Sequence, residues 1–166
     1  MSLRSAAVAA AGHSMRAYYL AIAGGALLIV SAFLPWVYVG DVAVGVPRMA
    51  MLWVLALGGL AVLLASLSIA TRRNSRHPLL LVGLVALGVH LFGQRVMMRA
   101  AEDRAWVDAQ KTTIVYGLDA RPPAETTTGA GIYLGAAASA VIILFGLTIV
   151  VRRASRPYAQ PVDDDI

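Results

Sequence analysis

Four stretches of this chain, residues 17–36, 49–70, 78–93 and 131–151, contain no Asp, Glu, Lys or Arg. A charge-free apolar run of roughly 20 residues has the length of an α-helix that crosses a hydrocarbon core of about 30 Å. Backbone placed in lipid must bond its own amides and carbonyls, which leaves only helices and closed barrels. The runs lack the alternation of barrel strands. The expected class is therefore an all-α membrane protein, a single domain over residues 1–166 built as a four-transmembrane-helix bundle. Composition agrees, with 59% hydrophobic and 14% charged residues, against about 45–50% and about 25% in soluble domains. The run 78–93 is the shortest and crosses if its helix continues outward through Arg99 and Arg104, with Arg95 reaching for the headgroups. Pro35 and Pro78 read as boundaries. The first run is too long for the apolar part of a signal peptide, and Phe33-Leu34-Pro35-Trp36 makes a poor cleavage site, so it is expected to be retained.

The charges outside these runs orient the chain. Arg4 and Arg16, then Arg72, Arg73 and Arg76, then Arg152, Arg153 and Arg156 fall on one side of four spans. The other side carries Arg48 beside Asp41, and a loop at 94–130 whose basic residues are balanced by Glu102, Asp103, Asp108, Asp119 and Glu125. The positive-inside rule then places both termini, including the tail 152–166, in the cytoplasm. Tyr18, Tyr19, Trp36, Tyr38 and Tyr133 lie near the expected helix ends, where amphipathic rings favour the interface. The bias to Arg, with one Lys at 111, together with abundant Ala and Gly, suggests a GC-rich bacterial genome and hence the bacterial inner membrane. A net charge of +5 is accounted for by these flanks, and nucleic acid is not an expected partner. With no cysteine, disulfides, thiolate metal sites and thiol nucleophiles are excluded.

The loop 94–130 is too short for a core of its own. Its first half favours helix and pairs Arg99 with Glu102 and Asp103 at helical spacing, so the third helix is expected to protrude as a stalk or bend along the surface. Trp106 would then meet headgroups or a partner protein. Residues 112–117, rich in β-branched side chains and including Ile114 and Tyr116, read as a short strand. Such a strand needs a partner, either Val37-Tyr38-Val39 or another protein. Residues 119–129 read as an irregular return.

Within the runs, His90 is the one histidine, and an ionisable residue of this kind is costly in lipid unless paired, ligated or near water. Two readings stand: a polar contact near the interface, with Gln94 one turn away sharing its hydrogen bonds, or an axial ligand to haem or a chlorophyll-type pigment. Gly131, Gly135 and Ser139 recur every four residues and make a smooth helix face for another helix, as do Ala17, Ala21 and Gly25. Arg72, Arg73 and Arg76 suit anionic lipid headgroups as well as an orientation signal. The runs hold no carboxylate for ion coupling, and the chain has no HExxH, GxSxG or Walker motif. No enzyme activity and no metal are expected.

Ser31 to Trp36 after the first run and Gly129 to Leu134 opening the last resemble small uncharacterised bacterial four-span membrane proteins. The resemblance implies a shared bundle with a structured region between helix ends, and no catalytic residues. The functional expectation is a non-catalytic accessory or structural subunit of a larger membrane complex, such as a photosynthetic or respiratory one. It would contact other integral membrane subunits through Trp106, Ile114, Tyr116 and the small-residue faces. A cofactor-carrying subunit ligating through His90, and an oligomeric small-solute channel or transporter, are the alternatives.

Overall fold

The computed structural model describes residues 17–71, 75–117, 119 and 122–154, with side chains followed to Thr148 in the last helix. Four helices dominate: α1 (Tyr18–Ser31), α2 (Arg48–Thr71), α3 (Arg76–Tyr116) and α4 (Ala130–Ala154). Three short strands, β1 (Val37–Val39), β2 (Val42–Val44) and β3 (Thr126–Thr128), form one antiparallel sheet in the order β2-β1-β3. Helix α1 packs against α2 and α4, and α3 against α4 and α2. At one end of the helices Tyr18 meets Phe145, with ring centroids 4.9 Å apart; at the other, Trp36 meets α3 and α4.

Among the described residues three helices are long and apolar enough to cross a membrane: Arg48–Thr71, Arg76–Tyr116 and Ala130–Thr148. Helix α1, at 14 residues, is shorter than the apolar run that contains it, because the chain turns after Ser31 and residues 32–36 form a bend ahead of β1. Many of the large apolar side chains point outward: Leu60, Leu63, Leu81, Leu84 and Leu144 are all exposed. The interior is instead lined by small residues, with Ala21, Ala61, Ala65 and Ala86 completely buried. Small side chains let helix backbones approach closely, and that contact supplies packing energy. The α1–α2 crossing shows this. A Cβ added to Gly25 would lie 2.9 Å from the Gly58 carbonyl oxygen, and one added to Gly58 would lie 2.9 Å from that of Gly25.

Helix α3 runs uninterrupted for 41 residues, about 60 Å at ~1.5 Å per residue. It continues as helix without a break beyond the apolar run, as the sequence of its first half favours. The strand expected at 112–117 does not exist, and Ile114 and Tyr116 are helical. Two causes are visible. Thr112 and Thr113 return their hydroxyls to the carbonyls of Asp108 and Ala109, at 2.6 and 3.4 Å, which accommodates threonine within a helix. The strand partner, Val37-Tyr38-Val39, already has β2 on one edge and β3 on the other. The helix stops at Gly117, whose φ of 60° gives the left-handed cap that a glycine supplies without strain.

The sheet itself corrects the reading of 119–129 as wholly irregular. The hairpin β1–β2 turns through Gly40 and Asp41, with Gly40 at φ 57°, as two-residue hairpins require. Thr126–Thr128 adds to its other side, and the Gly40 amide donates to the Glu125 carbonyl at 2.8 Å. The sheet lies along α3, where Gln94 donates to Thr128 Oγ1 at 3.1 Å and Thr126 donates to Glu102 at 3.4 Å. Met97, Ala101 and Ala105 of α3 are buried beneath this region.

The α1–α2 crossing is open to test. Gly25→Ala should lower stability in detergent by about 1–3 kcal/mol through overpacking. Gly59→Ala, where a Cβ meets nothing within 4 Å, should leave it unchanged or raise it by up to about 1 kcal/mol. Denaturant titration followed by far-UV circular dichroism distinguishes the two.

Candidate functional site

Helix α1 ends among other helices, so its last carbonyls need donors. Each finds one. Ser31 Oγ donates to Leu28 O at 2.7 Å, Ala32 N to Ile29 O at 3.2 Å, and Phe33 N to Val30 O at 3.1 Å. The indole N–H of Trp36 folds back to Ser31 O at 3.0 Å. Trp36 is thereby held inside the protein, fully buried, and is not the interfacial aromatic that the sequence suggested. Pro35, which has no amide to satisfy, allows this reversal.

The carbonyls of Pro35 and Trp36 accept in turn from the start of α4: Gly131 N to Pro35 O at 3.0 Å and Gly129 N to Trp36 O at 2.7 Å. Two amides of the helix N-terminus, otherwise orphaned, are satisfied by the same turn that closes α1. Glycine is required because the approach is close. A Cβ at Gly131 would stand 2.6 Å from Trp36 Cδ1, one at Gly93 would stand 2.7 Å from Trp36 Cζ3, and one at Gly129 would collide with Pro35 O. The two segments Ser31–Trp36 and Gly129–Leu134 thus form a single contact.

His90 lies directly beneath the indole, with ring centroids 5.0 Å apart and planes at 33°. It is fully buried. Nδ1 donates to Ala86 O at 2.8 Å, one turn back on α3, and Nε2 lies 3.3 Å from Ser31 Oγ. Gln94, expected to share these bonds, turns to Thr128 instead. On the remaining side the ring rests against Gly135, where any Cβ would coincide with the imidazole. Ser139 is buried one turn along and donates to Gly135 O at 2.7 Å. A macrocycle ligated at Nε2 would have to displace both Ser31 and the Gly135 backbone.

The structure therefore gathers His90, Gly131, Gly135 and Ser139 into one interior cluster, joined by Ser31, Trp36 and Gly93. Gly131, Gly135 and Ser139, expected at a partner or lipid contact, face the helices of their own chain. The arrangement fastens helix ends. Among the described residues no group of three His, Cys, Asp or Glu could hold a metal ion. Arg76 is a second surprise: expected at lipid headgroups, it is only 6% exposed. Its guanidinium sits 5.3 Å from the Phe145 ring centroid and 5.9 Å from that of Tyr18, and it donates to Thr148 Oγ1 at 3.2 Å. Tyr18, likewise expected at the interface, is buried, and its hydroxyl accepts from Ser75 N at 3.3 Å. Arg72 and Arg73 lie outside the described residues. Trp106, Ile114 and Tyr116 are remote from both clusters and exposed.

Sequence reasoning found His90 and the glycines but missed Ser31, Trp36 and Gly93 as their partners. The available signal was the pairing of Pro35-Trp36, a helix stop followed by a side-chain donor, with a glycine-rich helix start elsewhere in the chain. Comparison with protein-family models, curated proteins and solved structures gives no match. The reading of the site therefore rests on its geometry.

Gly135→Ala should destabilise the protein by at least about 2 kcal/mol, because the new methyl occupies the space of the imidazole. His90→Ala empties that space, so the double variant should be less destabilised than the sum of the two single variants. Additive losses in a denaturant titration would mean that the two residues do not touch.

Proposed function

We propose that the protein is a non-catalytic accessory subunit of a larger membrane assembly, anchored as a four-helix bundle with all four helices crossing the bilayer. The outward-facing leucines and small-residue interior support the membrane reading. The basic segments around Arg72, Arg73 and Arg152 to Arg156 support cytoplasmic termini, and Arg72 and Arg73 suit anionic lipid. The arginine-rich composition supports a bacterial inner membrane.

The observation that carries the proposal is the apolar surface at the end of α3. Trp106 lies about 18 Å beyond Gln94 along the helix. Counted from Pro78, a core of about 30 Å takes about 20 residues and ends near residue 97; each headgroup layer adds only about 5–8 Å, so an upright helix carries Trp106 past it and even a steep tilt leaves Ile114 outside. Trp106 is nonetheless 58% exposed and Ile114 80% exposed, with Val107, Val115 and Tyr116 also uncovered. Val107 and Ile114 are seven residues apart and share a face with Trp106 beside it. Aromatic and aliphatic side chains standing in water on a rigid helix suit the centre of a protein–protein contact. Other integral membrane subunits with outer segments, such as those of photosynthetic or respiratory complexes, are the partners this surface would meet.

The interior supports this reading over the alternatives. The imidazole of His90 is enclosed by Ser31, Trp36 and Gly135, which disfavours a haem or pigment ligand. The buried serines Ser31, Ser68 and Ser139 each donate to a carbonyl of their own helix, which disfavours a polar path for a solute. In gently solubilised native membranes the protein should co-migrate with a larger complex, and the variant Trp106→Ala/Ile114→Ser should be released from it while remaining folded. Migration of the unaltered protein as a small particle would overturn the proposal.

A further inference from the structure

We propose that His90 and Ser31 form a proton-binding site, at which the imidazole takes up a second proton without movement of any heavy atom. Donors and acceptors around the neutral ring do not balance. Ala86 O is a carbonyl and can only accept, so Nδ1 at 2.8 Å from it carries a proton. In the neutral ring Nε2 is then a bare lone pair, 3.3 Å from Ser31 Oγ. The serine hydroxyl has one proton and lies 2.7 Å from Leu28 O, again a group that can only accept. Two protons thus serve three contacts, and either Nε2 faces an oxygen lone pair or the Leu28 carbonyl gives up its hydroxyl donor. One proton added at Nε2 completes the set: Nε2 donates to Ser31 Oγ, Ser31 donates to Leu28 O, and the chain ends on a carbonyl.

The surroundings favour the added charge from two directions. Leu28 and Ser31 belong to the last turn of α1, whose C-terminal end carries the negative pole of the helix. The face of Trp36, 5.0 Å away, attracts a cation through its π electrons. Charged side chains contribute nothing at close range. Along the described lengths of α1 and α4 there is no Asp, Glu, Lys or Arg as far as Thr148, and α2 carries only Arg48 at its start. On α3, Arg95 is exposed and Gln94 is bonded to Thr128. The opposing term is the burial of a cation, so the proton is held reversibly by hydrogen bonds and dipoles alone. Helices α1 and α3 share this side-chain hydrogen bond, so proton uptake strengthens the fastening of α1 to α3 beneath Trp36, the residue from which β1 departs.

The test uses the full chain in detergent or nanodiscs, with Trp53→Phe and Trp106→Phe leaving Trp36 as the sole indole. An imidazolium stacked on an indole quenches its emission, whereas a neutral imidazole does so far less. Acidification from about pH 8 to 4, which spans the ordinary histidine range, should cause a reversible loss of Trp36 emission with a one-proton slope and unchanged helicity. His90→Gln should abolish the loss. Ser31→Ala, which removes the acceptor for Nε2–H, should move the midpoint to lower pH by about one unit. Should His90→Gln fail to fold, nitrogen NMR of the His13→Gln/His77→Gln variant reads the same ring directly, with Nδ1 protonated near neutral pH and both nitrogens protonated in acid. Constant emission with a single protonated nitrogen throughout, an unmoved midpoint in Ser31→Ala, or loss of helicity ahead of the titration would each overturn the proposal.

Discussion

The end of α1 is the constraint on which the rest of the structure depends. A helix that stops among other helices exposes carbonyls to a region without water, where an unsatisfied one costs about 1–3 kcal/mol. The chain meets this with the hydroxyl of Ser31, two backbone amides of the following turn and the indole of Trp36. Folding the indole back fixes where Trp36 goes, and everything around it follows. Gly93 and Gly131 must be glycine to admit the ring, α4 must begin where its amides can reach Pro35 and Trp36, and β1 must leave from that turn toward α3.

The same economy governs the packing of helices elsewhere. In the membrane proposed for it, a surrounding as apolar as the side chains themselves, leucine would gain little by being buried, and surfaces that let backbones approach closely would be favoured instead. The chain accordingly turns many leucines outward and lines its interior with Ala, Gly and Ser. The few large or polar groups inside are each pinned by a specific partner: His90 between Ser31 and Ala86, and Arg76 over Tyr18 and Phe145 with Thr148. These two pinning points sit near opposite ends of α1, so the helix is held at both.

Above this frame the three-stranded sheet and the outer half of α3 form one unit. The sheet is too small to be stable alone. Gln94, Glu102 and the buried stripe Met97, Ala101 and Ala105 give it a rigid backing. Beyond the sheet, α3 continues with apolar side chains that none of the described residues cover, which is where the proposed partner would find a surface already ordered.

The sequence by itself determined the four apolar segments, the helical class, the helical continuation of α3 past its apolar run, and the singularity of His90 and of the glycines at 131 and 135. These are written in composition and spacing, because a charge-free run of this length has few alternatives to helix and a lone imidazole within it demands a partner. Only the tertiary structure decided that α1 stops at Ser31, that residues 112–116 stay helical, that Thr126–Thr128 is a strand, and that Trp36, Tyr18 and Arg76 face inward. Each of these depends on groups distant in the chain. Strand or helix at Thr112 and Thr113 was settled by which segments had already taken the edges of β1, and the direction of Trp36 by which acceptors were left at the end of α1. Local propensity carries no record of either.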